Sequence, residues 1–422
     1  MVTSSVRIED LLAMLVPFCG KAGGLEPGCD WGMIWSSPAV QEDLTMRFAA
    51  FTTVAASAGE ATNAAEMLDN IRQQTVLAEE LGFEAMWLGE HHFGPYGIGD
   101  LPNPILLGAD LAARTSRIRI GQMANIAPWW HPIRLAEDLA MLDNMAKGRV
   151  EVGFGRGIWP YEGPQFHANA DPRKDAENRE LFRETIEIVR KIWSDEYFSH
   201  RGDNYSFPAE DTVFSHPSHP PNPAWQDGER VTRLRVTPRP YQQPHPPLWM
   251  TVSTDRSVAT AAELGLKACY WQPPPLRIRE RMELYAETRS KLEGRPFALG
   301  EDQAVMRSTY VASSMEEARR DAEAGIMSAF IFNDPFRGRQ VFTNPGEALD
   351  DDVRLDWDFL EPRTLLVGSP DHVAEKIQEL QEVCSLDCLL VEFAHMGIPQ
   401  RKMLRNLERF ATQVMPRFTG IG

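Results

Sequence analysis

RIRIGQMANIAPWWHPIRLAEDLAMLDNMAKGRVEVGFGRG, residues Arg117 to Gly157, reads as strand, helix, strand. Ile118, Ile120 and Ile126 mark an apolar strand that Pro128 closes. His131-Pro132 opens a helix, because the N–H that proline lacks would be unpaired at the first helical position anyway. Leu135, Leu139 and Leu142 recur at helical spacing and define a buried stripe. Glu137 and Asp138 lie early, Lys147 lies late and Gly148 sits just past the end, as the helix dipole and the C-cap require. Val150, Val152 and Phe154 form a second strand, which ends in Gly153-Phe-Gly-Arg-Gly157. Two strands joined by a helix are parallel neighbours. The glycine turn with its one arginine offers backbone N–H groups and a guanidinium to a phosphate.

Outward from this unit the alternation continues. Before it lie a strand at Arg47–Thr52, a helix at Ala64–Leu81, a strand at Ala85–Leu88 and a helix at Ile105–Ala113. After it come a helix at Asn178–Ile192 and strands at Leu248–Val252, Ala268–Trp271, Asp302–Val311 and Leu389–Phe393. Helices at Val258–Leu264, Pro274–Leu292, Met315–Phe332, Asp371–Val383 and Gln400–Val414 separate or follow them. Strand and helix in alternation make a parallel α/β protein. Eight such units predict a TIM (β/α)8 barrel, with a doubly wound sheet as the second choice. Pro208 to Pro247 holds ten prolines, which break helices and interior strands, so a long surface loop follows strand 4. Asn333–Arg363 is a second long irregular segment after strand 7.

Composition narrows the function. With 43% hydrophobic and 24% charged residues the chain is ordinary for a soluble globular protein. Its net charge of −17 argues against nucleic acid or anionic membrane as partner and serves solubility. Cysteines at 19, 29, 269, 384 and 388 show no framework spacing, which suggests reduced thiols and a cytoplasmic setting. No apolar run approaches the length of a membrane helix. Residues 1–45 form an N-terminal extension. Glu9 and Asp10 precede its apolar run Leu11–Val16, where a signal peptide needs positive charge. A capping helix with a tail and upstream sequence of little consequence both remain open.

Four pieces, Glu90-His-His-Phe93, His131-Pro-Ile-Arg-Leu-Ala-Glu-Asp138, Leu142-Asp-Asn-Met-Ala-Lys-Gly-Arg149 and Gly155-Arg-Gly157, resemble the bacterial luciferase-like monooxygenases in order and spacing. The likeness runs from Met46 to the C-terminus and marks 46–422 as one TIM-barrel domain. It implies an oxidoreductase acting on paired donors with incorporation of oxygen. FMN reduced by a separate flavin reductase would react with O2 through a flavin hydroperoxide and oxidise a small apolar aldehyde, ketone or hydrocarbon. A homo-oligomer is expected. Deazaflavin (F420)-dependent oxidoreductases share this barrel and are the alternative. The luciferases carry a reactive cysteine where this chain has Gly155, so light emission is not implied.

Barrel active sites lie at the C-terminal ends of the strands. His91 matches the family's catalytic histidine, whose imidazole can stabilise and shuttle a proton. From the sequence alone a structural histidine bound to a backbone carbonyl explains it equally well. His92 points the other way and packs or binds its neighbours. Glu90 orients His91 or the flavin ring. Met123 and Ala124 match the family's non-proline cis peptide under the flavin, and Asn125 follows them. Arg156 and Gly157, with Thr254 and Ser257 at a helix N-terminus, match the FMN-phosphate positions; helix capping alone also explains the two hydroxyls. Trp271 ends strand 6 at the same mouth. Trp87 reads as core, whereas Trp129 and Trp130 could wall a flavin or an apolar substrate. Gly153-Phe-Gly-Arg-Gly-Ile158 lacks the last glycine of a dinucleotide fingerprint, so no built-in nicotinamide domain is expected. A metal hydrolase using Glu90, His91, His92 and His131 ranks low, because no H-x-H or H-E-x-x-H spacing exists. A flavin-binding protein without turnover is the non-enzyme reading.

Overall fold

Apolar residues run along the predicted strands, which are buried on both faces, and the computed structural model shows where the two faces go. It describes residues 45–52, 63–94, 101–350 and 353–420; the two readings of the extension 1–45, a capping helix with a tail and upstream sequence of little consequence, lie outside them but for residue 45. Eight parallel strands pair in a closed ring: β1 (Arg47–Thr52), β2 (Ala85–Leu88), β3 (Arg119–Ile126), β4 (Val150–Gly155), β5 (Leu248–Val252), β6 (Lys267–Trp271), β7 (Gln303–Val311) and β8 (Cys388–Glu392). Each strand pairs with the next, and β8 returns to β1. Among the described residues ten α-helices surround or follow them: α1 (Ala64–Glu80), α2 (Pro104–Arg114), α3 (Pro132–Met145), α4 (Asp175–Ser194), α5 (Asp255–Glu263), α6 (Pro275–Glu293), α7 (Met315–Arg337), α8 (Trp357–Thr364), α9 (Pro370–Cys384) and α10 (Gln400–Arg409). This is the predicted TIM barrel.

The period of two sorts the side chains. Phe48, Ala50, Met86 and Leu88 turn outward and pack under the helices. Ala49, Phe51, Trp87, Met123, Trp249 and Met306 turn inward and fill the barrel. Trp87 is core, as its strand position predicts. It fits because β3 carries glycine beside it: a Cβ on Gly121 would stand 2.3 Å from the indole.

Three segments differ from the sequence reading. α7 runs five residues past Phe332, through Pro335, to Arg337. The predicted irregular segment 333–363 also contains α8, and a short strand just beyond it, Leu366–Gly368, adds to the outer edge of β7. The last predicted helix stays α-helical only to Arg409 and continues as a wider turn over Phe410–Val414.

Between β4 and β5 the chain makes α4 and two small hairpins, His200–Arg201 with Ser206–Phe207 and Gln226–Asp227 with Arg230–Val231. Its return is fastened at Arg239, which takes the Asn144 Nδ2 on its carbonyl at 2.7 Å and donates to the Trp193 carbonyl at 2.6 Å, and at Gln242. Gln242 donates its backbone N–H and its Nε2 to the two oxygens of buried Asp143, each at 2.8 Å, and Nε2 also reaches the Val150 carbonyl at 2.9 Å.

The approach to β3 hangs on α1. The Glu79 carboxylate accepts from the backbone N–H groups of Ser116, Arg117 and Ile118 at 2.9, 2.7 and 2.9 Å. Partial burial works to raise its pKa, but these donors outweigh it and hold it at about 2. Glu79→Ala should therefore lower stability by about 1.5–3 kcal/mol, the range for bonds to a charged acceptor. A carboxyl depressed in the folded state stabilises above its ordinary value and loses that contribution as pH falls through the folded one. The gap between variant and wild type in urea unfolding should accordingly be full at pH 7 and close between 4.5 and about 2. A gap that persists at pH 2 would refute the role.

Candidate functional site

A cavity of about 220 Å3 opens at the C-terminal ends of the strands. Of the residues singled out from sequence, Glu90, His91, Met123, Ala124, Arg156, Gly157, Thr254, Ser257 and Trp271 line it. Asn125 does not. A larger hollow of about 620 Å3 runs along α4, but it lies on the barrel's outer layer, away from every strand end.

Asn125 has a different task. The Met123–Ala124 peptide is cis, and the β3–β4 register slips between Gln122 and Asn125. The two backbones come so close there that a Cβ on Gly153 would stand 2.1 Å from the Gln122 carbonyl oxygen. Fully buried Asn125 bridges the gap, its Nδ2 donating to the Gly153 carbonyl at 3.2 Å. It braces the wall from behind and does not face the cavity.

Glu90 is also buried. One oxygen accepts the Ile126 N–H at 2.6 Å, both accept the Trp130 indole N–H at 2.9 and 3.0 Å, and His92 Nε2 lies 3.2 Å away. Burial pushes this carboxyl above its usual range even against those donors. Glu90 thus orients His92, not His91 as one reading of the sequence had it. His92 packs on Phe166 and Trp129, with ring centroids 4.6 and 5.4 Å away. Trp129 and Trp130 back this cluster and do not wall the cavity.

His91 faces the cavity and stacks on Trp159, centroids 3.8 Å apart. Its carboxylate partner is one the sequence reading missed: Glu162, fully buried, with Oε1 3.5 Å from Nδ1. That separation suits charge attraction and is too long for a hydrogen bond; the same oxygen already accepts the His92 N–H at 2.6 Å. His91 Nδ1 and Glu162 Oε2 are both buried without a hydrogen bond. The ring is therefore not locked onto a backbone carbonyl. Glu162 lies in the loop after β4, and no local pattern marks it.

One end of the cavity is cationic. Arg156 Nη1 donates to Asn178 at 3.0 Å, and Nη2 lies 3.1 Å from Asp175. Arg179 and Arg256 reach the same carboxylate at 2.8 and 2.9 Å. Three guanidinium groups share one acid, and Arg179 Nε and Nη1 remain buried without a partner. Burial and then the neighbouring Arg179 pull the Arg156 pKa down, which Asp175 opposes. Thr254 and Ser257 form a capping box at the N-terminus of α5: Ser257 N–H donates to Thr254 Oγ1 at 3.2 Å, and Thr254 N–H donates to Ser257 Oγ at 3.0 Å. The hydroxyls do cap the helix, and they line the cavity as well.

Apart from Trp271, the opposite wall was not foreseen. Trp271 stacks on Phe330, and the Arg337 guanidinium lies over the Trp271 ring, 4.0 Å from its centroid. Asn333 Oδ1 accepts the Trp159 indole N–H at 3.0 Å. Glu392 accepts from Ser308 Oγ at 2.6 Å and Gln272 Nε2 at 3.2 Å, and burial pushes its carboxyl up. Phe330, Asn333 and Arg337 share one face of α7, at i, i+3 and i+7. That spacing was the available signal, and Asn333-Asp334-Pro335 hid it by reading as a helix stop. Among the described residues no cluster of three or more His, Cys, Asp or Glu could hold a metal ion, and no helix is long and apolar enough to cross a membrane.

Residues 46–385 match the family described as luciferase-like monooxygenase. The flavin-dependent trigonelline monooxygenase, oxygenase component, of Acinetobacter baylyi is 27% identical over 384 residues, 89% of this chain and 96% of that protein. The 3,6-diketocamphane 1,6-monooxygenase of Pseudomonas putida is 28% identical over 367 residues, 82% of this chain and 91% of that one. Among solved structures, a monooxygenase from Streptomyces bottropensis superposes with a TM-score of 0.69 at 25% identity, covering 88% of this chain and all of that one.

The Glu90 cluster makes a direct prediction. Glu90→Leu strands the Ile126 and Trp130 N–H groups, at about 1–3 kcal/mol for each buried donor left unpaired. Urea unfolding at pH 7 should show a loss in that range or above; a change below about 0.5 kcal/mol, the scatter of ordinary surface substitutions, would mean that the carboxylate anchors nothing.

Proposed function

Because the chain belongs to the luciferase-like monooxygenase family, and is thus an oxidoreductase that incorporates oxygen, we propose that its cavity takes reduced FMN and that it oxidises a small organic substrate with O2. One observation carries the cofactor reading: Arg156 lines the cavity beside Thr254 and Ser257 of the α5 N-terminus, and behind it Arg179 and Arg256 join it on the single Asp175. The surplus positive charge and the helix dipole suit a phosphate dianion. The walls beyond it, Phe51, Met123, Ala124, Met306 and Trp271, suit a flat aromatic ring. The donor set therefore fits FMN.

Bound there in reduced form, FMN supplies the electrons that activate O2. This chain's residues then divide the work. Arg156, with Thr254, Ser257 and the α5 N-terminus, holds the phosphate. Met123 and Ala124 support the ring system. His91 handles the proton: its ring lines the cavity, and the buried Glu162 carboxylate lies 3.5 Å from its Nδ1. Trp159 fixes the ring plane by stacking. Glu90 positions the segment that carries both histidines. With no complete dinucleotide fingerprint in the chain, a separate flavin reductase supplies the reduced cofactor. Residues 46–422 act as one catalytic domain, and the buried free thiols Cys269, Cys384 and Cys388 suit the cytoplasm.

Titration with FMN and with the deazaflavin F420 tests the cofactor. FMN should bind more tightly, and Arg156→Ala should weaken it by about 1.5–3 kcal/mol, the range for charge-assisted hydrogen bonds. Preference for the deazaflavin, or unchanged FMN affinity in the variant, would overturn the assignment.

A second test concerns His91. Supplied with a flavin reductase and NADH, His91→Ala should bind FMN normally but lose product formation about 10²–10⁴-fold, the span for general acid–base groups. The electrons should reappear as hydrogen peroxide. His92→Ala should instead lose stability, since His92 packs on Trp129 and Phe166. Peroxide release by His92→Ala with full coupling in His91→Ala would reverse the two roles.

A further inference from the structure

Arg337 is the one cation of the cavity wall, among the described residues, that makes no hydrogen bond and no ion pair. Arg156, the other arginine of the wall, is held by Asn178 and Asp175. The polar neighbours of Arg337 are committed elsewhere. Asn333 Oδ1 takes the Trp159 N–H and its Nδ2 donates to the Ala329 carbonyl at 2.8 Å. Ser308 and Gln272 both donate to Glu392. Glu392 also lines the cavity, and it attracts the Arg337 guanidinium without pairing with it. Burial brings Arg337 down to about 10, so it is still protonated at neutral pH.

A buried charge with no partner is costly and is ordinarily paired or hydrogen-bonded. Two bland explanations fall short. A cation suits the last turn of a helix, but that effect needs no burial. Stacking on Trp271 holds the guanidinium plane, yet it leaves the N–H edge unused. Trp271 covers one face and Nε is sealed in, so the Nη edge is what the cavity meets. A planar two-donor edge matches a carboxylate.

We propose that Arg337 recognises a carboxylate on the organic substrate, so that the substrate class is a small organic acid whose apolar body packs against Trp271, Phe330 and Trp159. This deepens the cavity's reading as the oxidation site and rests on it. It adds an ionic anchor to the purely apolar substrate that the sequence suggested.

The test uses three matched pairs as probes: benzoate and benzamide, cyclohexanecarboxylate and its amide, hexanoate and its amide. FMN-loaded wild-type protein should bind at least one acid about tenfold or more tightly than its amide, as loss of a charge-assisted bond predicts. Arg337→Met should abolish that preference, keep FMN affinity, and melt at the same temperature or higher, because it removes an unpaired buried charge. Arg337→Lys should keep part of the preference. Equal binding of acid and amide in all three pairs, or a preference that survives in Arg337→Met, overturns the proposal. A tenfold loss of FMN affinity in Arg337→Met would assign the arginine to the flavin instead, and a lowered melting temperature would assign it to the scaffold. Acid binding is also measured without FMN, so failure of FMN to bind would sink the cofactor reading while leaving the acid preference to be judged by itself.

Discussion

A single buried carboxylate holds the catalytic end of the barrel together. Glu90 sits just past β2, yet its partners lie at the end of β3, in the turn that follows it, and on the next histidine but one. Without it Ile126 N–H and the Trp130 indole would be stranded in an apolar setting. With it, the end of β2 is fixed to the end of β3, and His91 emerges between them. The alternation of side chains along an extended segment then does the rest. His92 turns inward to Glu90 and the aromatic cluster, so His91 must turn to the cavity.

The cavity is divided by charge. Its α5 end gathers guanidinium groups around Asp175, while the α7 side offers Arg337, Glu392 and aromatic faces. Between them the lining is mostly apolar, with His91 and Glu90 set into it. A ligand that spans such a site needs an anionic tail, a flat apolar middle and space for a second molecule. On the proposed reading, FMN and a small substrate would meet those needs together.

Much of this could be read in the sequence where one local rule decides. Apolar strands alternating with period-3.6 helices pointed to the barrel, and the strand ends together with the family resemblance led to nine residues that do share the cavity. The reading failed where the decisive partner is distant. Asn125 follows the cis peptide, but only the close approach of Gly153 shows that it bridges two strands. Glu162 meets His91 through the fold and not through any motif. Arg337 was hidden by Pro335, because a proline after Asn-Asp reads as a stop although the helix continues through it. Thr254 and Ser257 show a different limit: capping and cavity lining are both true of them, so local pattern could not have chosen.

Gln242 gives the long excursion after β4 a fixed end. Its two bonds to Asp143 and one to Val150 tie the returning chain to α3 and β4 before β5 begins. The exposed run 209–224, beyond the stretch that Phe198 buries and Glu184 ties to α4, can lengthen, shorten or change sequence without shifting where β5 enters the barrel. Descendants of this chain are therefore free to remodel that surface for new neighbours while inheriting the reaction chamber intact. For the same reason a protein engineer could splice foreign sequence there, provided Gln242 and Asp143 are left in place.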